Sequence, residues 1–525
     1  MSNVVDRIFE TLRAHRMTTM FGNPGSTELP LLANFPDDFK YILGLHEGAV
    51  TAMAIGHALA SNNAAVVNLH TTAGMGNAMG MITNAWHAQA PLVITAGQQD
   101  RRMIRAEPLL WGRQVEFVRP YVKWSVEPHR AVDVPEAIER AYHTAMTEPR
   151  GPVFVSICMD GLDEKCAPVA PREVSYCTAP DPAAIARAAS VLQKGSRLAI
   201  VAGDQADAAA ATADLVALAE RLRAAVFLAP ESSRHGFPGD HPLYQGQLPP
   251  AMGPLAKRLQ PYDTVLVVGA PVFLYYPYVA GPAVRAGTEL VQLTNDPAMA
   301  ARALVGTSVI GNVAIGVRQI LDRVTSRPGA APPRWDPPAV SAPSTPMKPD
   351  FVYRELARVL PAGAILCDEA PSSQRFLLEQ VRLHDPGSFF TTASGTLGFA
   401  LPGAIGVALA RPDRPVVAIV GDGSMHYAVQ ALWTAARHRV PVTFVILDNR
   451  EYAILKSFER FLHLRGAPGL DVPGVDFEGL ARGYGVAHRR VTAPDAVASE
   501  LAAAFASGEP NVVEIEIDPC VPKLL

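Results

Sequence analysis

The chain has no apolar run long enough to cross a bilayer, no cluster of Lys or Arg, and few cysteines. The first absence argues against a membrane-spanning protein, because a spanning helix needs about 20 consecutive apolar residues. At the N-terminus, Val5, Ile8, Phe9 and Leu12 share one face, so the segment reads as an amphipathic helix and not as a signal peptide. A formal net charge of −4, from 46 Lys and Arg against 50 Asp and Glu, offers no electrostatic footprint for nucleic acid. Cys158, Cys166, Cys177, Cys367 and Cys520 are odd in number and lack metal-ligand spacing. They predict buried free thiols of a cytoplasmic protein rather than a disulfide set. A dinucleotide fingerprint is also missing. In Gly74-Met75-Gly76-Asn77-Ala78-Met79-Gly80 the third glycine comes one position late, and Gly97-Gln98-Gln99 stands where an acidic residue should follow. Close helix packing is the expected role of those glycines, and Gly203-Asp204 also falls short of a nucleotide signature.

What the chain does have is core. Its 525 residues are 49% apolar and 18% charged, which predicts a well-buried protein of more than one domain. Strand signals at 17–21, 64–69 and 91–97 alternate with helical ones, then again at 198–202, 225–228 and 264–268. Residues 326–349 are rich in Pro and Ala without an apolar period, and read as a linker. The expected architecture is α/β: three Rossmann-like, doubly wound domains at 1–170, 180–325 and 350–525, each around a mainly parallel sheet.

The most informative motif lies in the last of these. Apolar runs at 416–420 and 442–447 predict two buried parallel strands, leading into Gly421-Asp422-Gly423-Ser424 and Asp448-Asn449. Ligands of doubly wound sheets sit at strand carboxyl ends, so Asp422 and Asn449 are expected to meet there. Both are hard oxygen donors suited to Mg²⁺, and glycines beside Asp422 let backbone approach a diphosphate. A helix starting near Ser424 would offer N–H groups to the same anion.

Three further candidates lie in the first domain. Ser26, in the turn Gly22-Asn23-Pro24-Gly25-Ser26, is placed to cap the helix that follows, and that turn's N–H groups also suit a carboxylate. Glu47 stands among small and apolar residues, where an unpaired charge is scarce. His70 ends the strand at 64–69, and a core role and a site role are equally open to it.

These residues lie in motifs that run the length of the chain. Phe21-Gly22-Asn23-Pro24-Gly25-Ser26, His46-Glu47, Asn68-Leu69-His70, Leu397-Gly398-Phe399-Ala400-Leu401-Pro402 and Pro468-Gly469-Leu470-Asp471-Val472-Pro473-Gly474 resemble the benzoylformate decarboxylase branch of the thiamine diphosphate-dependent 2-oxo acid decarboxylases. The resemblance implies pyrimidine-binding, central and diphosphate-binding domains in a homotetramer built from two dimers, with each site shared across a dimer interface. It implies thiamine diphosphate and Mg²⁺, with Asp422, Asn449 and the backbone carbonyl of Glu451 as metal ligands. Glu47 would activate the pyrimidine ring in a dry pocket, and Leu397 would prop the cofactor in its bent shape. Further cofactor contacts are implied at Pro24, Gly25, Gly395, Gly421, Gly423, Ser424, Tyr427, Tyr452, Ala453 and Ile454. Ser26 would hold the carboxylate of a 2-oxo acid, and His70 would act as acid or base near its keto oxygen.

One departure bears on the reaction. Alignment of Gly269-Ala270-Pro271-Val272-Phe273 with the branch places Tyr276 where a second active-site histidine is expected. A phenol is a far weaker proton donor near neutral pH than an imidazolium. Met75, Trp111 and Ile454 are expected to make the pocket bulkier. The expected activity is decarboxylation of an aromatic 2-oxo acid with aldehyde ligation on the side. A 2-hydroxyacyl-CoA lyase, an acetolactate synthase-like enzyme or a non-catalytic binding protein on the same fold are the alternatives.

Overall fold

A computed structural model describes residues 2–519 and 521–524, so Cys520 lies outside the described residues. Three six-stranded sheets, every pair within them parallel, carry the fold. The first contains β1 (Thr19–Gly22), β2 (Lys40–Leu43), β3 (Ala65–Leu69), β4 (Leu92–Gln98), β5 (Ser125–Val126) and β6 (Val153–Cys158), in the order β2-β1-β3-β4-β6-β5. The central sheet contains β7 (Leu198–Ala202), β8 (Ala225–Leu228), β9 (Tyr244–Gln247), β10 (Thr264–Val268), β11 (Glu289–Thr294) and β12 (Thr307–Ile310), in the order β12-β11-β10-β7-β8-β9. The third contains β13 (Ile365–Glu369), β14 (Phe389–Thr391), β15 (Val416–Gly421), β16 (Val442–Asp448), β17 (Ala487–Val491) and β18 (Asn511–Glu516), in the order β14-β13-β15-β16-β18-β17.

The inner strands are Val- and Ile-rich and buried along both faces, as helices on each side of a parallel sheet require. The first and third sheets repeat one strand order. The central sheet instead has the order of dinucleotide-binding folds, 3-2-1-4-5-6 in its own count, a topology that Gly203-Asp204 does not signal in sequence. A cavity of about 150 Å³ opens beside its β7/β10 switch point, lined by Gln205 and Asn295 among others, and includes neither Glu47 nor Asp422.

The first and third sheets share one apolar core, in which Phe21 and Val67 lie with Ala418 and Phe444. Two helices join them, Glu47–Ser61 and Ala400–Ala410, and both are apolar and buried almost all round. Glycine lets them approach: a Cβ on Gly56 would stand 2.1 Å from the Gly403 carbonyl oxygen, and one on Gly406 only 1.8 Å from that of Met53. From 324 to 346 the chain has no helix or strand. No helix among the described residues is long and apolar enough to cross a membrane.

Some expectations need correcting. Cys158, Cys166 and Cys367 are buried free thiols, but Cys177 is exposed, because it lies in the extended stretch after β6. In the helix Thr71–His87, Gly74 packs against Glu47, whereas a Cβ on Gly76 would meet nothing within 4 Å. The close-packing role therefore holds at Gly74 and fails at Gly76, which faces outward.

Candidate active site

In the third unit β15 and β16 pair in parallel with Gly421 opposite Leu447, so Asp422 and Asp448-Asn449 emerge side by side. Asp422 is buried; one carboxylate oxygen accepts the Gly423 N–H at 2.7 Å and the other the Arg450 N–H at 2.5 Å. Burial pushes its carboxyl up to about 6 against the pull of those donors. Asn449 Oδ1 accepts the Glu451 N–H at 3.1 Å, and the Glu451 side chain turns to Lys456. The single helical turn begins at Asp422 rather than near Ser424, which lies inside it at Asp422–Met425. Gly423 is closed to any side chain, since a Cβ would reach 2.4 Å from the Tyr452 ring. Around Gly395, by contrast, no heavy atom lies within 4 Å of the Cβ position, and at Gly421 the nearest is Ser424 Oγ at 3.6 Å. Tyr427 is exposed and Tyr452 half-buried, and Ala453 with Ile454 opens the helix Ala453–Phe461. Adjacent hard oxygens with open glycine backbone fit a Mg²⁺-diphosphate group.

Leu397 lies in a loop pinned at both ends. Asn84 Oδ1 accepts the Ala393 N–H at 2.8 Å and that of Ser394 at 3.2 Å. Glu369, at the end of β13, accepts from Gly398, Phe399 and Ala400 at 2.6, 2.6 and 2.7 Å. Burial pushes the Glu369 carboxyl up to about 7, while the three N–H groups pull it down. Between these anchors Gly395 and Gly398 adopt positive φ, and Leu397 is held half-buried.

The first unit supplies a second group. Glu47 is the first residue of its helix, behind the cap His46, and its carboxylate accepts from Asn77 Nδ2 at 3.0 Å. It is half-buried in the single chain. His70 caps the helix Thr71–His87, the same helix that brings Asn77 and Gly74 to Glu47. Its Nδ1 lies 2.8 Å from Glu28, whose side chain is 1% exposed. Glu28 also accepts from the Gly25 and Gly97 N–H groups and the Thr27 hydroxyl, each at 2.8 Å. His70 Nε2 is thereby left as the nitrogen available to a ligand. Ser26 does not cap a helix as expected, because the helix Leu29–Leu32 starts later and its cap position is Glu28. Ser26 and Pro24 are exposed beside this cluster. Met75 is wholly buried in the apolar core, so it is not a pocket wall.

Tyr276, from the central unit, is 64% exposed, and its ring lies 4.9 Å from that of Phe458 on the helix that Ile454 opens. Among the described residues no hydrogen bond or ion pair joins Glu47 or His70 to Asp422. One chain thus carries two separate groups of candidates. Glu28, Asn84 and Glu369 were not foreseen. Two adjacent acids, Asp368-Glu369, ending an apolar run were the one available signal.

Both groups lie in segments that match known proteins. Residues 2–116 match the family description "Thiamine pyrophosphate enzyme, N-terminal TPP binding domain", residues 185–320 the central domain and residues 370–515 the C-terminal TPP binding domain. Benzoylformate decarboxylase of Pseudomonas aeruginosa is 44% identical, over 98% of this chain and 99% of the relative. The crystal structure of benzoylformate decarboxylase from Polynucleobacter necessarius superposes with a TM-score of 0.98 at 37% identity, covering 99% of this chain and 100% of that one. A thiamine diphosphate-dependent 4-hydroxybenzoylformate decarboxylase from Rhodococcus jostii gives 0.96 at 40% identity, covering 99% and 100%. A probable acetolactate synthase large subunit of Methanococcus aeolicus is 24% identical over 98% of this chain and 92% of its own.

Proposed function

The chain belongs to the thiamine pyrophosphate enzyme family as a homologue of benzoylformate decarboxylase, and we propose that it decarboxylates an aromatic 2-oxo acid to the aldehyde and carbon dioxide. The observation that carries this reading is the pairing of His70, fixed by Glu28 beside the Gly25 turn, with a full-length match to enzymes of that chemistry.

Thiamine diphosphate, when bound, supplies a nucleophilic carbon and an electron sink for cleavage of the carbon–carbon bond. Asp422, Asn449 and the Glu451 carbonyl would hold Mg²⁺, and Gly421, Gly423, Ser424, Tyr427, Tyr452, Ala453 and Ile454 would surround the diphosphate end. Glu47 would hold a proton at the pyrimidine ring, with Pro24, Gly25, Gly395 and Leu397 bounding that end. Ser26 and the neighbouring N–H groups would orient the substrate carboxylate for departure. His70 would move a proton at the substrate's oxygen through Nε2, since Glu28 occupies Nδ1. Tyr276 would line the pocket against Phe458, leaving the product-forming proton to His70 or water, so that ligation to a second aldehyde competes.

The half-sites are separate in one chain, and the reading includes a homotetramer of two dimers in which the first-unit group of one protomer faces the third-unit group of its partner. The domain limits 1–170, 180–325 and 350–525, with the linker at 326–349, belong to the same reading. The test is a substrate screen on the full-length enzyme with thiamine diphosphate and Mg²⁺. Benzoylformate and 4-hydroxybenzoylformate should release carbon dioxide and aldehyde stoichiometrically, well ahead of pyruvate. Conversion of pyruvate to acetolactate as the main reaction would move the chain to the synthase branch.

A further inference from the structure

Outside either candidate group, His15, Glu139 and His143 converge in the first unit, and all three are buried. His15 follows the first helix, Val4–Ala14, as its C-cap, while Glu139 and His143 lie one turn apart on the helix Val134–Met146. Glu139 receives His15 Nε2 on one oxygen at 2.6 Å and His143 Nε2 on the other at 3.0 Å. The three donor atoms all lie within 4.8 Å of one another.

The groups around the triad bear on how it can present ligand atoms. Asn63 Nδ2 donates to the His15 carbonyl at 3.0 Å, which turns Asn63 Oδ1 toward the Tyr142 hydroxyl at 3.1 Å. An amide oxygen only accepts, so the Tyr142 proton is committed there. The Tyr176 hydroxyl lies 2.8 Å from His143 Nδ1 and can accept an N–H there. A neutral imidazole carries one N–H, so with Nδ1–H directed to Tyr176 the His143 Nε2 lone pair faces Glu139, the form in which an imidazole binds a metal ion. Burial raises the Glu139 carboxyl, but its bonds to His15 and His143 outweigh this and hold it below the usual range.

We propose that His15, Glu139 and His143 bind one transition-metal ion of the zinc class. Two imidazoles and a carboxylate suit Zn²⁺ or Co²⁺, whereas Mg²⁺ prefers oxygen donors such as those around Asp422. With metal–ligand bonds of about 2.0–2.1 Å, tetrahedral donors stand about 3.3 Å apart, a small opening of the present 2.6 and 3.0 Å. Tyr176 on Nδ1–H is the outer partner that a ligating histidine needs to fix its tautomer. The ion would clamp the end of the first helix to Val134–Met146. Through Tyr176 and the Arg172 N–H, 3.3 Å from Glu139, it would also hold the chain leaving β6. Its role is therefore structural.

The test uses the full-length enzyme saturated with thiamine diphosphate and Mg²⁺, with Co²⁺ as the probe. Wild type should retain about one Co²⁺ per chain after gel filtration, show the intense visible band of a four-coordinate ion, and melt higher with Co²⁺ or Zn²⁺ present. Glu139→Gln should bind at least about tenfold more weakly, and Tyr176→Phe about 10–100-fold more weakly. No band and no rise in Tm for wild type at millimolar Co²⁺ would overturn the proposal. Equal uptake by wild type and both variants would overturn it as well. The wild-type titration decides even where a variant does not fold.

Discussion

Glu28→Gln is the substitution most informative about the site, because it preserves shape while removing one acceptor. The Glu28 carboxylate takes two donors on each oxygen: Gly25 N–H and His70 Nδ1 on one, Gly97 N–H and Thr27 Oγ1 on the other, all at 2.8 Å. A glutamine keeps one oxygen and turns an NH₂ group toward the other pair. Thr27 can rotate its proton and His70 can change tautomer, but neither Gly25 nor Gly97 can move an amide hydrogen. Whichever way the amide lies, one buried N–H loses its acceptor, at about 1–3 kcal/mol, and the remaining bonds lose their charge assistance. The total is therefore about 3 kcal/mol, seen as a shorter thermal-inactivation half-life. Where His70 changes tautomer, Nε2 becomes a donor and can no longer accept a proton. Turnover should fall about 10²-fold or more, the lower end of what a positioned acid–base group contributes. Carbon dioxide release in a double-mutant cycle with His70→Ala is the assay. If Glu28 acts through His70, Glu28→Gln costs little once His70 is gone. The same loss in both backgrounds, or full turnover in the single variant, would refute the reasoning.

Asp422→Ala should abolish retention of thiamine diphosphate, because the diphosphate charge loses its counter-ion; unchanged affinity in equilibrium dialysis would end the metal assignment. Glu47→Gln should slow hydrogen–deuterium exchange at the cofactor's C2 by about 10²–10⁴-fold with the fold intact, and wild-type exchange would remove Glu47 from that role. Tyr276→His should raise the ratio of aldehyde to hydroxyketone from one 2-oxo acid at fixed pH, whereas a constant ratio would make Tyr276 a pocket wall only. Asp368 is fully buried with Gln374 Nε2 on one oxygen and no partner on the other, and burial pushes it up to about 7. A carboxyl raised in the folded state contributes stability that is complete below about pH 4 and lost as pH rises through about 7. Asp368→Asn should therefore gain in Tm over wild type by about pH 8 and not at about pH 4, since each tenfold rise in proton affinity on folding corresponds to about 1.4 kcal/mol; a pH-independent difference would show ordinary ionisation.

The strands were legible because parallel sheets buried on both faces demand continuous apolar runs, and 416–420 and 442–447 are such runs. The meeting of Asp422 with Asn449 follows from that same register, so it too was legible. Ser26 is deceptive because a Ser before Thr27-Glu28-Leu29 has capping chemistry, yet the helix starts at Leu29 and Glu28 turns inward. Glu28 and Asn84 leave no local trace, and Glu369 only the paired acids that end an apolar run, since their partners include backbone N–H groups distant in sequence: Gly97, Ala393 and Gly398. A side chain that recognises backbone places no demand on the partner's residue type. The strand order of the central sheet is hidden for a related reason, because order depends on which crossovers pack together.

The three residues missed in sequence share one physical task. Loops that must approach a ligand cannot satisfy their N–H groups in a helix or sheet, and buried unpaired donors are costly. Glu28 gathers the turn at Gly25 and the end of β4, Glu369 the turn at Gly398, and Asn84 the stretch at Ala393 and Ser394. Each accepts two or more of these donors from a buried position, which offsets the cost of desolvating the acceptor. Asn84 shows the residual cost, since its Nδ2 is buried without a partner. The helix pair Glu47–Ser61 and Ala400–Ala410, locked at Gly56, Gly403 and Gly406, then sets Glu47 and the Leu397 loop in one rigid frame. The candidate residues are thus loop residues, as approach to a ligand requires, held with the rigidity of the core by acceptors that need not touch the ligand themselves.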